Sequence, residues 1–282
     1  MAINLAKKYE KQTADAFYHD SVILGKTNTS YKWDGVKSIV IYTINTKAPG
    51  NYTRTGTARY GQATEVEDTI QEMVITQDKA VALTVDKGNN TEQMMVKEAG
   101  KVLRLEIREQ FVPMQDKYAL NKWATYSEKV GDVTYAVQSN VDASLTKNTI
   151  VSAINKGRTA LVNKKVPLNN CYLYIKSSLY ALLSEAPEFV NLEKLGTAAT
   201  ENGVVGKIKG FKTVEVADDY LQENVNFMID NKDCVVSPTK IEDAKCHQDP
   251  PGISGHLLEV RWLFDAFVIN TKANGVYVSK TA

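Results

Sequence analysis

The sequence has few residues that bind metals, with three cysteines and three histidines in 282 residues. An odd number of cysteines without C-x-x-C spacing predicts neither a disulfide framework nor a zinc site, so buried thiols are expected. The histidines also lack ligand spacing, which leaves Cys246 beside His247 as the residual metal possibility. We therefore expect no bound metal and no cofactor. These residues are Cys171, Cys234, Cys246, His19, His247 and His256.

Long apolar runs and an excess of one charge are also missing. No run approaches the roughly 20 apolar residues that span a bilayer, and the first residues, MAINLAKKYEKQ, lack the apolar stretch of a secretory signal. We expect a soluble protein that is made in the cytoplasm and has no membrane partner. The 34 Lys and Arg nearly balance the 33 Asp and Glu, for a net charge of +1. This balance argues against a protein whose main task is to bind bare nucleic acid.

Motifs of common enzyme classes are incomplete. Residues 25–27, Gly-Lys-Thr, resemble the end of a phosphate-binding P-loop, but Asp20 stands where that motif needs its first Gly. Residues 252–255 form G-x-S-G, which has the wrong spacing for a nucleophile elbow and follows a Pro-Pro turn rather than a strand. The sequence therefore predicts no catalytic residue, and we expect that the protein is not an enzyme.

The sequence does contain a strong hairpin pattern. Residues 36–44 are β-branched and aromatic, which predicts a strand that ends at Pro49, and a second strand pattern begins near Thr64. Residues 50–61 between them, GNYTRTGTARYG, hold Ala58 as their only aliphatic side chain. We refer to residues 50–61 as the hairpin tip, and we expect it to have no core of its own.

A long helix is predicted after the hairpin. Asn90 and Gln93 resemble a capping box, and an apolar stripe follows at three- and four-residue steps. If the helix continues to about Tyr126 it is roughly 50 Å long, and we expect Pro113 to kink it or to divide it. The stripe consists of Val96, Ala99, Leu103, Ile107, Phe111, Met114 and Tyr118.

Four basic residues fall on one face of this helix, at steps of four, three and four. They are Lys97, Lys101, Arg104 and Arg108, named here the basic stripe. Like charges at this spacing repel by a few tenths of a kcal/mol per pair, so solvent, acidic residues of this or a neighbouring chain, or nucleic acid must relieve them. The acidic candidates are Glu65, Glu67, Asp68 and Glu72, named here the acidic row.

Beyond Ser127 strand and helix patterns alternate, which predicts an α/β subdomain. The helices are expected in NTIVSAINKGRTALVNKKVP and SSLYALLSEAPEF, and the strands in CYLYI, FKTVEV and NFMIDNKDCVV. Near the C-terminus HQDPPGISG predicts a turn, and NTKANG predicts a hairpin between two further strands.

This order of parts resembles the major capsid protein of tailed phages, including prophages, of the Hong Kong ninety-seven type. Local stretches are similar as well, among them TRTGTARYGQATEVEDTIQEMVITQDKAVALTVDKGN, IREQFVPMQDKYALNKWA and LYIKSSLYALLSEAPEF. The resemblance implies an α+β capsid fold. Its implied parts are an N-terminal arm (1–30), an extended E-loop hairpin (31–79), a P domain with a spine helix (80–127), an inserted α/β A domain (128–236) and a C-terminal return to the P domain (237–282).

In that family the E-loop lies over an adjacent subunit, which suits a tip rich in Gly, Thr, Tyr and Arg. Tyr and Arg are enriched in protein contacts, whereas an exposed loop without a partner is the alternative. The resemblance implies that the tip contacts another subunit. The contact residues expected at the tip are Tyr52, Arg54, Gly56, Arg59 and Tyr60.

The function implied by the resemblance is self-assembly, through hexamers and pentamers, into the icosahedral head of a bacteriophage. Further implied partners are a separate scaffolding protein, with assembly without one as the alternative, a portal protein at one vertex, and enclosed double-stranded DNA bound without sequence specificity. The implied location is the virion, after assembly in the cytoplasm of the bacterial host. An encapsulin-like compartment and, remotely, a small-molecule enzyme that uses the α/β part are the alternatives.

Overall fold

The computed structural model describes residues 21–31, 38–44, 46–88, 99–142, 144–186 and 204–281, and all structural statements below concern these residues. The helices are α1 (Ala99–Glu106), α2 (Val112–Ala124), α3 (Ile150–Asn163) and α4 (Ser177–Ser184). The strands are β1 (Ser38–Ile44), β2 (Asp68–Val74), β3 (Gln77–Asp86), β4 (Ser127–Val130), β5 (Val133–Ala136), β6 (Gln138–Asp142), β7 (Cys171–Lys176), β8 (Val204–Ile208), β9 (Phe211–Val216), β10 (Val225–Asn231), β11 (Val235–Val236), β12 (Thr239–Gln248), β13 (Gly255–Phe264), β14 (Phe267–Val268) and β15 (Val276–Thr281).

The predicted hairpin is present. Strands β1 and β2 pair antiparallel, with Ser38 opposite Val74 and Ile44 opposite Asp68. They form a two-stranded ribbon, called here the hairpin ribbon, and the hairpin tip lies in the connection between them. Strand β3 leaves the ribbon and joins a separate three-stranded antiparallel sheet in the order β12-β13-β3.

The predicted long helix is helical from Ala99 to Ala124, but its middle is a π-helix, Ile107–Phe111. The N–H of Val112 donates to the carbonyl of Ile107, five residues earlier. Pro113 follows in the first turn of α2, where a missing N–H is tolerated, so the chain passes the proline without leaving the helix. The predicted capping residues, Asn90 and Gln93, lie outside the described residues.

The inner face of this helix packs on the three-stranded sheet. Phe111 contacts Trp262 with ring centroids 5.8 Å apart, and Tyr118 meets Phe264 edge-on at 5.6 Å. Leu103, Ile107 and Met114 complete the same cluster, as the apolar stripe predicts. The helix therefore has one face committed to its own chain.

The predicted α/β part is built on a six-stranded sheet in the order β6-β15-β10-β7-β9-β8. Its central strands β7 and β10 are buried over almost their whole length, because both faces of the sheet are covered. One face packs against α3 through Ile154 and Leu161, and the other packs against α2 through Trp123. Strand β15 lies inside this sheet, between β6 and β10. The last strand of the C-terminal segment therefore belongs to the six-stranded sheet of the predicted α/β part. The domain boundaries remain predictions.

The hairpin predicted at NTKANG is wrong. Asn270–Gly275 is a 3-10 helix that carries the chain from β14 to β15, and β13 and β15 belong to different sheets. Strand β13 instead pairs with β12 across the predicted Pro/Gly turn. The turn signal failed because NTKANG is held by tertiary contacts, since Asn270 is buried and its N–H donates to the side-chain oxygen of Gln71.

Residues 21–31, at the end of the predicted arm, lie against α2 and β11. Ser21 Oγ and the Val22 N–H donate to the carboxylate of Asp116 at 2.8 and 2.7 Å, and the Asn28 N–H donates to the Val235 carbonyl at 2.8 Å. Burial raises the pKa of Asp116 to about 6, against the opposing effect of these hydrogen bonds and of Lys26. At neutral pH the carboxyl is mostly ionised and this attachment is charge-assisted.

We predict opposite effects of adding one methyl group to two helical glycines. A Cβ on Gly157 of α3 meets Ile229 at 2.8 Å and Tyr277 at 2.9 Å, whereas one on Gly100 of α1 meets nothing within 4 Å. Gly157→Ala should lower the free energy of unfolding by about 1–3 kcal/mol through overpacking. Gly100→Ala should raise it by up to about 1 kcal/mol through helix propensity. Urea denaturation of both variants checks this, and a destabilised Gly100→Ala or a neutral Gly157→Ala contradicts it.

Candidate assembly interface

The hairpin ribbon has one face buried by its own chain. Ile41 is buried beside Met73, and both belong to a small core with Ile75, Val236 and Ile269. These contacts join the base of the ribbon to the segments around β11 and β14. The ribbon is therefore attached on this face rather than free along its length.

A buried glutamine strengthens this attachment. The side chain of Gln71 donates to the Val268 carbonyl at 2.9 Å and to the Tyr126 hydroxyl at 3.0 Å. Its oxygen accepts from the Asn270 N–H at 2.9 Å. Since these partners lie after the end of the long helix and around β14, the hydrogen bonds give the ribbon a defined position relative to both.

A buried carboxylate lies at the end of the ribbon and links the ribbon to the long helix through hydrogen bonds. Asp265, 1% exposed, accepts from the N–H and hydroxyl of Thr76 at 2.9 and 2.8 Å, from the Tyr118 hydroxyl at 2.9 Å and from the Ala266 N–H at 2.7 Å. Burial and then this carboxylate raise the pKa of Tyr118 to about 12, so its hydroxyl remains a donor at neutral pH. Thr76, the helix and the end of β13 thus share one acceptor.

The opposite face of the ribbon is apolar and uncovered. Tyr42 is 66% exposed and lies opposite Ile70, which is 51% exposed. Val40 and Ile44 are exposed on the same face, since side chains alternate along a strand. Adjacent exposed apolar side chains on a sheet are typical of a surface that another protein covers. We call this set the outer ribbon face.

Acidic residues border the outer ribbon face. Asp68 lies opposite Ile44 and Glu72 lies opposite Val40, so both project from that face at its two ends. Glu65 and Glu67 are exposed in the connection that follows the tip. In the described part of the chain, no side-chain hydrogen bond or ion pair involves the carboxylate of a member of the acidic row.

The structure brings the predicted tip residues together in an ordered turn. The rings of Tyr52 and Tyr60 meet edge-on with centroids 5.0 Å apart, and Arg59 Nε donates to the Gly56 carbonyl at 3.1 Å. The Thr53 N–H donates to the Arg59 carbonyl at 3.0 Å. Gly56 has φ +92°, a conformation that other residues adopt at a cost. Every side chain of the tip is exposed, so the turn is ordered without a core.

The basic stripe is only partly within the described residues. Lys97 lies outside them, Lys101 is half-buried, and Arg104 and Arg108 are exposed. Arg104 Nε donates to the Gly100 carbonyl one turn earlier at 3.4 Å. Among the ion pairs of the described residues, none joins the basic stripe to the acidic row or to the tip of the same chain.

Sequence reasoning missed the outer ribbon face. The β-branched pattern predicted β1 as a strand, but the prediction did not include which faces of that strand are apolar. The signal was present, because Ile39 and Ile41 alternate with Val40 and Tyr42, so both faces of an isolated hairpin strand are apolar. A strand with one face toward water alternates apolar and polar residues, and the absence of that alternation indicates a second covered face.

The residues that imitate enzyme motifs have structural roles. Lys26 is buried and its ammonium donates to the Val22 carbonyl at 2.8 Å, which leaves it unlike a phosphate-binding lysine. The carbonyl of Ser254 accepts from the Lys87 N–H in the turn before β13. In the described residues no three His, Cys, Asp or Glu side chains are grouped to hold a metal. The described helices include none long and apolar enough to cross a bilayer.

Solved phage structures have the same fold over nearly the whole chain. That of Mycobacterium phage Che8 has a TM-score of 0.71 at 12% identity, covering 97% of this chain and 96% of that one. The capsid of cyanophage P-SCSP1u has a TM-score of 0.75 at 12% identity, covering 98% and 93%. The mature capsid of bacteriophage PhiM1 has 0.74 at 13% identity, covering 98% and 92%. No family model and no curated protein matches. The predicted α+β capsid fold is confirmed.

We predict that Asp265 is a major determinant of subunit stability. Asp265→Ala leaves the Thr76 and Ala266 N–H groups and the Tyr118 hydroxyl without their acceptor, which should lower the free energy of unfolding by about 2–4 kcal/mol. The control is Asp219→Ala, which removes only an exposed ion pair with Lys117 and should cost at most about 1 kcal/mol. Urea denaturation of unassembled subunits measures both. Equal small losses would show that the Asp265 hydrogen bonds are not important for stability.

Proposed function

We propose that this protein is the major capsid protein of a tailed bacteriophage, and that many copies close into an icosahedral head. The observation that carries the proposal is the outer ribbon face, because Tyr42 and Ile70 are held in place by their own chain yet are exposed among its described residues. A neighbouring copy in a shell covers such a face. The fold shared with phage capsids supports a structural role rather than an enzymatic one.

The hairpin tip is proposed as an intersubunit contact. Its ordered turn presents Tyr52, Arg54 and Tyr60 to the outside, and these residue types are enriched in protein contacts. An ordered turn loses less conformational entropy on binding than a floppy loop does, which favours this role. Gly56 and Arg59 maintain the turn through their hydrogen bond.

The proposal includes partners and a location. The subunits form hexamers and pentamers, a separate scaffolding protein guides them, and a portal protein occupies one vertex. The head encloses double-stranded DNA without reading its sequence, in line with a net charge of +1. The protein is assembled in the bacterial cytoplasm and resides in the virion.

Assembly is the first test. We expect the purified protein to form closed shells, or pentamers and hexamers that become shells when the scaffolding protein is supplied. Light scattering and electron microscopy at increasing concentration measure this. A strictly monomeric protein at high concentration, with and without scaffold, contradicts the proposal. Native particles that hold cargo protein and no DNA indicate an encapsulin-like compartment instead.

We predict that Arg54→Glu with Arg59→Glu blocks assembly while the subunit remains folded. Both side chains are exposed and outside any core, and such changes usually alter fold stability by no more than about 0.5 kcal/mol. A cost of about 1.4 kcal/mol per contact lowers each association constant tenfold, and a closed shell repeats that contact many times. Circular dichroism and melting temperature are measured beside particle yield.

The matched control is Lys147→Glu with Lys164→Glu, which makes the same change of charge at exposed residues next to α3, away from the ribbon. We expect the control to assemble like the wild type. Normal particle yield from the tip variant, or its outright unfolding, would mean that the tip is not an intersubunit contact of the kind proposed.

A further inference from the structure

We propose that the surface around α3 is the part of the subunit that contacts the enclosed double-stranded DNA, through its phosphates and without reading its sequence. This inference rests on the proposed function and names the surface that meets one of its partners. We call this surface the basic α3 face. It consists of the solvent side of α3 together with Lys147 before the helix and Lys164 and Lys165 after it.

The segment that contains α3 has no acidic residue. Asp and Glu account for 33 of the 282 residues, yet residues 143–184 include neither of them, while they include six Lys and Arg. The net charge of +1 for the whole chain therefore coexists with one strongly basic segment. A local excess of Lys and Arg on one face is the electrostatic signature of a surface that binds nucleic acid.

The tertiary structure brings these charges to the surface. Helix α3 buries Ile150, Ile154 and Leu161 on the six-stranded sheet, so its other residues lie toward solvent. The helix has 14 residues and is about 21 Å long, a length over which each strand of DNA presents about six phosphates. Basic side chains are exposed before, along and after it. The exposed basic residues are Lys147, Lys156, Arg158, Lys164 and Lys165.

Four of these five side chains have no acidic partner among the described residues. Lys156 is the exception, since its ammonium pairs with the buried carboxylate of Asp142 at 3.0 Å. Salt ions from the solvent must therefore balance the other four charges. DNA phosphates that replace those ions release them, and this release supplies most of the affinity of non-specific binding. The four unpaired side chains are Lys147, Arg158, Lys164 and Lys165.

The uncharged residues of the basic α3 face also suit phosphate oxygens. Ser152, Thr159 and Asn163 are exposed on the helix, and Ser, Thr and Asn side chains are common donors to DNA phosphates. Val162, 49% exposed, is the one large apolar side chain that α3 exposes. The centre of a protein interface is usually apolar or aromatic, as on the outer ribbon face. The composition of the basic α3 face therefore favours DNA over an acidic protein.

The basic α3 face lies apart from the surfaces proposed for assembly. Helix α3 covers one face of the six-stranded sheet and α2 covers the other, while the base of the hairpin ribbon is joined to the segments around β11 and β14. Substitutions on the basic α3 face should therefore leave shell formation unchanged. Contact with the enclosed DNA requires that this face is turned toward the interior of the head.

Binding of the full-length, unassembled subunit to short double-stranded DNA tests the inference. Two variants each remove two charges from the face, Lys147→Gln with Arg158→Gln and Lys164→Gln with Lys165→Gln. The control, Lys79→Gln with Lys129→Gln, removes two exposed charges from β3 and β4. Fluorescence anisotropy at several salt concentrations gives Kd and its salt dependence, and circular dichroism shows whether each variant is folded.

Each α3 variant should bind DNA at least about tenfold more weakly at about 50 mM salt, and the slope of log K against log salt should fall by about 2. The control should stay within about twofold of the wild type, and DNAs of different sequence should bind equally, because phosphates carry no sequence information. Wild-type binding by both folded α3 variants overturns the inference. An equal loss in the control also overturns it, since binding then follows net charge alone.

Lysine acetylation of assembled particles tests the orientation of the face. Lys147, Lys164 and Lys165 should lose reactivity in DNA-filled particles relative to emptied ones, because phosphates shield them. Lys129 should react equally in both, and mass spectrometry measures each site. Equal reactivity of the α3 lysines in filled and emptied particles overturns the contact with enclosed DNA.

Failure of this inference is distinguishable from failure of the proposed function. Normal particles, together with DNA binding that neither α3 variant changes, overturn the DNA contact and leave the capsid proposal standing. If the α3 variants keep DNA binding but lose binding to polyglutamate, the face belongs to an acidic protein and the DNA contact is overturned as well. A wild-type protein that never assembles overturns the proposed function, and with it the enclosed DNA.

Discussion

The buried carboxylate of Asp265 is the constraint on which the arrangement of the other parts depends. It accepts hydrogen bonds from Thr76 at the end of the ribbon, from Tyr118 on the long helix and from the Ala266 N–H after β13. A buried acceptor with such donors admits one geometry, because displacement of any donor leaves a polar group unpaired away from water. The ribbon therefore leaves the body of the subunit at a defined position beside the helix.

A ribbon with a fixed base can present an apolar face without collapsing onto its own subunit. Ile41 and Met73 bury one face, while Tyr42 and Ile70 on the other remain available to a partner. The ordered tip extends the same principle, since the hydrogen bond between Arg59 and the Gly56 carbonyl replaces a core. Preorganisation of this kind lowers the entropy lost in each contact. In the proposed shell the same contact would be repeated many times, so a smaller entropy loss at each contact would favour every closure step.

Local patterns recovered most elements but not their connections. Three predicted features depend only on residues near one another in the sequence, and the structure contains all three. They are the β-branched run of β1, the apolar stripe of the long helix and the Pro/Gly turn before β13. The π-helix at Ile107–Phe111 was not predicted, although Pro113 marked the place. The NTKANG turn signal misled because Asn270 is held by Gln71, which lies 199 positions earlier in the chain. Intrinsic propensity determines which backbone conformations a segment adopts at low cost. Contacts with residues far away in the sequence select one of those conformations.

The sequence by itself determined the absence of a recognisable catalytic motif, the hairpin with a core-free tip, the long helix with a basic stripe, and, through resemblance, the capsid fold. Only the tertiary structure decided which face of β1 is buried, because both faces are apolar and alternation cannot choose between Ile41 and Tyr42. It likewise decided that β15 enters the six-stranded sheet, since strand pairing depends on which backbone lies alongside. The side of a strand that remains exposed follows from the packing of residues far apart in sequence, and no local pattern encodes it.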